Sequence, residues 1–213
     1  MLGRIRRGSG RRVESAVEQI HALSVLTIGL PPLSRRPERA LKKGIDLLCR
    51  EGVKRVLTPS DFPWWSELVR SGLRPVETGL LRCALAPVWV EMQMKRRNIP
   101  RAEVVLRLKG ERYDPMLEPL ARALCPLVRR MVFDVPGGEV AANRLRRETG
   151  MPVLPVDFTE THLTLRLCDG PVLTGVEITL PGRKLPTDCD TAALISVLWE
   201  TGRIKLEEIV LKF

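Results

Sequence analysis

The chain offers little of what enzymes and metal sites are usually made from. Aromatic residues fill 4% of its 213 positions, and there is a single tyrosine. The two histidines, His21 and His162, each stand alone, with no triad or ligand partner beside them. The five cysteines (Cys49, Cys83, Cys125, Cys168 and Cys189) are odd in number and form no C-x-x-C pair. That spacing excludes the usual structural zinc sites, so no metal is expected. It fits a reducing compartment, and a cytoplasmic location is expected. Cys49, Cys83 and Cys125 lie among apolar helical residues and read as small core hydrophobes. No apolar run approaches the ~18–20 residues of a membrane-spanning helix. The nearest, residues 23–33, is broken by Gly29 and two prolines. No solenoid-length repeat is visible. The first thirteen residues hold no acid and no apolar stretch of signal-peptide type, and their glycines spoil the amphipathicity of a transit peptide.

What is present is ordinary in amount and uneven in place. A hydrophobic share of 44% and a charged share of 28% describe a globular chain able to bury one large core or two small ones. The formal charge is +10, and residues 1–43 carry ten Lys or Arg against three acids. Residues 1–14 are expected to be a basic, flexible arm with little part in folding. Arg4, Arg6, Arg7, Arg11 and Arg12 are its candidate contacts to phosphates of nucleic acid or to anionic lipid. The alternatives for the same residues are a solvated tail, or an upstream start that lengthens the chain.

Beyond the arm, short apolar runs alternate with helical spacing. Residues 23–28 read as a strand and 34–49 as a helix, with Ser34 as its cap. Strand 53–58, a short helix bearing Trp65 and Leu68, strand 73–76 and a long helix 78–97 follow. A soft boundary falls near residue 100, giving an α/β half at 15–100 and a second half at 101–213. In the second half, strands at 104–108, 131–135 and 152–156 alternate with a helix bearing Leu117, Leu120, Ala121 and Leu124, its ends left open by Pro119 and Pro126, and a helix bearing Val140, Ala141 and Leu145, stopped at Gly150. The period then becomes two: 162–168 and 172–180 alternate around Asp169-Gly170-Pro171, the pattern of a hairpin. A helix near 191–201 and a terminal element at 206–211 close the chain. The pattern predicts an α/β fold, Rossmann-like, with a mostly parallel sheet, helices on both faces and a C-terminal β-hairpin extension.

Residues 104–156 read strand, Gly-containing loop, helix, strand ending in Asp, Gly-rich turn, helix, strand. That order resembles the nucleotide-binding half of shikimate-dehydrogenase-like and glutamyl-tRNA-reductase-like proteins. The resemblance covers about fifty residues. The G-x-G-x-x-G fingerprint is replaced by Lys109-Gly110-Glu111-Arg112-Tyr113-Asp114, with one glycine. The resemblance implies a cofactor site at Lys109, Gly110, Arg112, Asp134, Gly137 and Gly138, with Asp134 at the ribose and NAD(P) as a possible cofactor. Glu111 and Asp114 stand where a phosphate would sit, so the implied fold is a degenerate one with weak affinity. The catalytic Lys and Asp of the shikimate-dehydrogenase type have no framing motif here.

Other groups read more plainly. Phe62, Trp64 and Trp65 read as core packing, Arg144, Arg146 and Arg147 as a solvated helix face, and Asp188 and Asp190 as caps of the helix that follows. Three functions remain open on this sequence. One is a non-catalytic Rossmann-like protein binding a nucleotide or a partner. The second is an NAD(P)-linked oxidoreductase with an atypical phosphate loop. The third is a nucleic-acid-associated protein acting through its basic arm.

Overall fold

A computed structural model describes residues 1–32 and 37–213 of the chain. They form two compact units, Met1–Glu77 with Ile178–Val210, and Thr78–Glu177 with Leu211–Phe213. The first stretch holds β1 (Leu2–Arg7), β2 (Glu14–Ile20), β3 (Leu23–Leu30), α1 (Pro37–Arg50), β4 (Arg55–Leu57), α2 (Trp65–Arg70) and β5 (Arg74–Pro75). The second unit holds α3 (Gly79–Arg97), β6 (Val105–Gly110), α4 (Leu117–Leu124), β7 (Arg130–Asp134), α5 (Gly138–Thr149), β8 (Val153–Leu154), β9 (Leu163–Leu167) and β10 (Pro171–Val172). Next come β11 (Glu177–Thr179), α6 (Thr191–Glu200) and β12 (Val210–Lys212). The architecture is α/β with mostly parallel sheets, as the alternation of elements predicts.

The first sheet runs β2-β3-β1-β4-β5. β1 lies parallel between β3 and β4, and β2 is antiparallel on the outer side of β3. Residues 1–14 are therefore not a flexible arm. Their pattern hides a strand because its two faces do different work. Ile5 faces a core shared with Ile28, Val56, Leu41, Leu48 and Leu68. Gly3 is small because α1 crowds it: a Cβ there would lie 2.8 Å from Val53 and 2.9 Å from Leu48. On the opposite face, Arg4 is 5% exposed. It bonds Glu18 at 2.9 Å and pairs with Asp188. That face is covered by the returning segment, where Asp190 caps α6 by accepting from the Ala193 amide at 3.0 Å. Arg55 on β4 meets Glu200 of α6 at 2.6 Å. The expected cap Ser34 lies outside the described residues.

The second sheet runs β10-β9-β6-β7-β8. Its parallel strands β8-β7-β6-β9 follow the 3-2-1-4 order of half a dinucleotide-binding sheet. The long helix α3 belongs to this unit, so the chain divides at 77–78 and not near 100. The hairpin is shorter than its alternation predicts. Only Pro171 and Val172 pair with β9, and residues 177–179 leave this sheet as β11. Gly79 opens α3 directly against the β9–β10 turn, where a Cβ would sit 2.8 Å from the Asp169 carbonyl oxygen.

Candidate functional site

In the second unit the carboxyl ends of β6 and β7 bring part of the expected constellation together. Lys109 and Asp134 are register partners. Asp134 accepts from Arg107 at 3.1 Å and lies 4.0 Å from the Lys109 ammonium. Arg107 also donates to the Val156 and Phe158 carbonyls, so Asp134 completes a local ion-pair cluster. Gly110 ends β6 and is tightly packed, with a Cβ there 3.3 Å from the Arg112 carbonyl and 3.4 Å from Leu167. Arg112 turns away to pair with Asp169, both well exposed. Gly137 has φ +72 and precedes α5, and the Gly138 amide donates back to the Val135 carbonyl at 2.9 Å.

In this strand order a ligand crevice opens between β6 and β9. Asp114 fills it. Its Oδ1 accepts from the Met116 amide at 2.8 Å, at the start of α4. Its Oδ2 accepts from the Gly170 amide at 2.7 Å, in the turn after β9. The residue is 8% exposed. A helix start and a glycine turn are the donors that cradle phosphates, and here the chain's own carboxylate holds them. His162 is likewise structural: its Nδ1 accepts from the Val105 amide at 3.2 Å.

The first unit carries an open site at the matching place. The carboxyl ends of β1, β3 and β4 meet where the chain leaves β1 for one side of the sheet and later crosses by α1 to the other. A cavity of about 300 Å³ lies there. Arg6 and Arg7 from the end of β1 and Asp61 from the loop after β4 supply its polar lining among the described residues. Proline rings, Phe62 and Trp64, and the first turn of α1 at Ala40 supply apolar walls. Phe62 stands edge-on to Trp64 and to Trp65, with centroids 5.6 and 5.8 Å apart. All three rings pack on the core, as the sequence predicts, and stay half-buried; Phe62 and Trp64 also line the cavity.

The cations are unevenly neutralised. Glu18 is engaged by Arg4 and by the Thr27 hydroxyl, and reaches the Arg6 guanidinium only at 3.8 Å. The Arg6 Nε is buried without a hydrogen-bond partner among the described residues. Arg7 lies 3.5 Å from Asp61, with both side chains more than two-thirds exposed. Of the five arginines proposed for nucleic acid, Arg4 is thus sealed in an ion pair, Arg6 and Arg7 line the cavity, and Arg11 and Arg12 are exposed. The signal for this site was Arg6-Arg7-Gly8-Ser9-Gly10, a basic Gly-rich turn directly after a strand. Its low apolar content made the strand read as a tail.

Three of the thiols, Cys83, Cys125 and Cys189, are unsuited to nucleophilic work at neutral pH. Burial pushes Cys83 up to about 11, and the nearby Asp114 charge adds to the shift. Burial pushes Cys189 to about 11 as well, and raises Cys125. Cys49, expected in the core, is exposed, and Cys83 and Cys125 are half-buried. Among the described residues no group of three His, Cys, Asp or Glu is placed to hold a metal ion, and no helix is long and apolar enough to cross a membrane. No known protein family matches the chain, and no curated protein or solved structure is similar to it.

Proposed function

We propose that the chain is a non-catalytic binding protein whose ligand, a small anion with an apolar body, occupies the cavity at the carboxyl ends of β1, β3 and β4. The observation that carries this is a cavity with an exposed arginine, Arg7, beside aromatic and proline walls at the crossover point of a parallel sheet, where ligands of such folds collect. The polar side chains at its mouth are of a kind that hold charge: the Arg7 guanidinium and, 3.5 Å from it, the Asp61 carboxylate. The second unit serves as scaffold in this reading. Its phosphate position is held by Asp114, so affinity for NAD or NADP over Lys109, Gly110 and Asp134 is weak, with dissociation constants on the order of a millimolar.

The test uses 1-anilinonaphthalene-8-sulfonate, an aromatic anion that fluoresces in apolar surroundings. The native chain binds it at micromolar concentration, and Ala40→Trp, which fills the cavity from its wall, abolishes the signal. Equal fluorescence from Ala40→Trp and the unaltered chain, with both folded by circular dichroism, overturns the reading.

A further inference from the structure

We infer that the outer edge of β2 pairs with the same edge of a second copy of the chain, joining two first units through one antiparallel sheet about a two-fold axis at Val17. The inference is independent of the cavity. β2 is seven residues long, and among the described residues no strand pairs with its outer side. The other outer strands of the two five-stranded sheets, β5, β8 and β10, have two residues each, too short to template a partner. Soluble proteins commonly blunt such edges with lysine, proline or a bulge. Glu14–Ile20 contains neither residue, and its register on β3 runs without a skipped position. Its acids leave the middle of the edge open. Glu18 is engaged by Arg4 and by the Thr27 hydroxyl, and Glu14 stands at the strand's end.

The turn at His21 and Ala22 sets which backbone groups face outward. Both residues have positive φ, and Ile20 and Leu23 flank them as register partners. In a two-residue hairpin of this kind the flanking pair exchanges both backbone hydrogen bonds, and every second pair repeats the exchange. Ile20, Glu18, Ala16 and Glu14 therefore bond to β3, while the amides and carbonyls of Ser15, Val17 and Gln19 point outward. All three of these residues are exposed, and Val17 shows 63% of its surface. Charge then selects the register. With Val17 opposite Val17 of the second copy, Ser15 stands opposite Gln19, Ala16 opposite Glu18 and Glu14 opposite Ile20. Every outward group is paired, the valine side chains cover each other, and no acid faces an acid. The smallest slide that keeps the outward groups paired is two residues. In one direction it sets Glu14 opposite Glu18, and in the other Glu18 opposite Glu18, and like charges directly opposite destabilise a strand pair. The fold leaves room for the pairing. α1 packs on β3, on the sheet face that carries Val17. The two β3 strands would stand about 14 Å apart, three strand spacings, and a helix is only about 10–12 Å across.

The experiment is sedimentation velocity of the full chain over a range of concentrations. An edge pairing covers less surface than a standard interface of about 1,600 Å², so the native chain passes from monomer to dimer with a midpoint on the order of tens of micromolar. Val17→Lys sets like charges at the axis and weakens the dimer at least about tenfold, with the urea midpoint of the chain unchanged because the side chain is exposed. Val17→Pro, which removes an outward N–H, weakens it as well. Ser15→Lys combined with Gln19→Glu dimerises more tightly than either single variant, since each lysine then meets a glutamate across the axis. In hydrogen exchange resolved to single amides, Ser15, Val17 and Gln19 of the unaltered chain slow together as concentration rises. A chain that stays monomeric throughout overturns the inference and leaves the edge to an extended segment of a different protein. So does a dimer that Val17→Lys leaves intact, or concentration-dependent protection confined to residues outside 14–20. If Val17→Lys loses the native melt, exchange in the unaltered chain decides alone.

Discussion

Asp114 commits both carboxylate oxygens to backbone amides, Met116 and Gly170, and so stands as an internal anion. Asp114→Ala strips the acceptor from one buried donor, the Gly170 amide, and one half-buried donor, the Met116 amide, at a cost of roughly 2–3 kcal/mol read from urea unfolding. Asp114→Asn keeps one acceptor oxygen and should cost less. Unchanged stability of the alanine variant would mean that water replaces the carboxylate without loss. The thiols carry a pH signature. Cys83 and Cys189 ionise near 9 when unfolded and near 11 when folded. The folded chain therefore holds more protons between those values, so stability is intact below pH 9 and declines toward pH 11. Melts across that range should show the decline, and Cys83→Ala should flatten it. At neutral pH, alkylation should mark Cys49 and Cys168 first, since both are exposed.

At the scale of elements, β1 is the centre of its sheet, bonded on both sides to β3 and β4. Deletion of residues 1–12 removes that strand and should abolish the cooperative melt of the first unit; a truncated chain melting within a few degrees of the native one would contradict this. The β2–β3 hairpin turns through His21 and Ala22, with φ of +48 and +63. Two-residue turns of that kind favour Asn-Gly. Ala22→Gly should therefore stabilise the protein by about 1 kcal/mol, seen as a higher urea midpoint. The same pair explains why β2 was invisible in the sequence: Glu14–Ile20 is exposed along most of its length, and His-Ala gives no turn signal. The alternating strands and helices from 104 to 156 were legible because burial on both faces leaves continuous apolar runs, as in Val104–Leu106 and Met131–Phe133. β1 was not, since a glycine under a helix interrupts one face and a buried arginine the other. Hydrophobic patterning cannot report an ion pair to Glu18 and Asp188. On α3 the buried stripe departs from a simple run of aliphatic residues. Leu81 and Leu85 are buried, but Val88 is exposed and Trp89 takes its place, tied by its indole N–H to the Thr174 carbonyl at 3.1 Å. The acids of the loop after β6, Glu111 and Asp114, were visible in the sequence. That Asp114 itself takes the phosphate's donors depends on a turn more than fifty residues away, which no local pattern contains.

At the scale of the whole chain, the first unit is discontinuous in sequence and the second is nearly continuous. A chain ending at residue 177 lacks α6 and leaves Arg4 without Asp188 and Arg55 without Glu200. Limited proteolysis of that truncated chain should digest residues 1–77 rapidly and spare a fragment near 78–177. Equal resistance of both parts would show that the first unit closes without its returning segment. The Arg4–Asp188 contact spans 184 positions of sequence. During synthesis β1 emerges long before its second counter-ion exists. Burying a guanidinium with part of its compensation missing is strongly opposed. The charge thus keeps β1 hydrated while the chain lengthens and delays closure of the first unit until residues 178–210 have arrived. A neutral side chain of similar length at position 4 would let that sheet shut early, on an unfinished and sticky face.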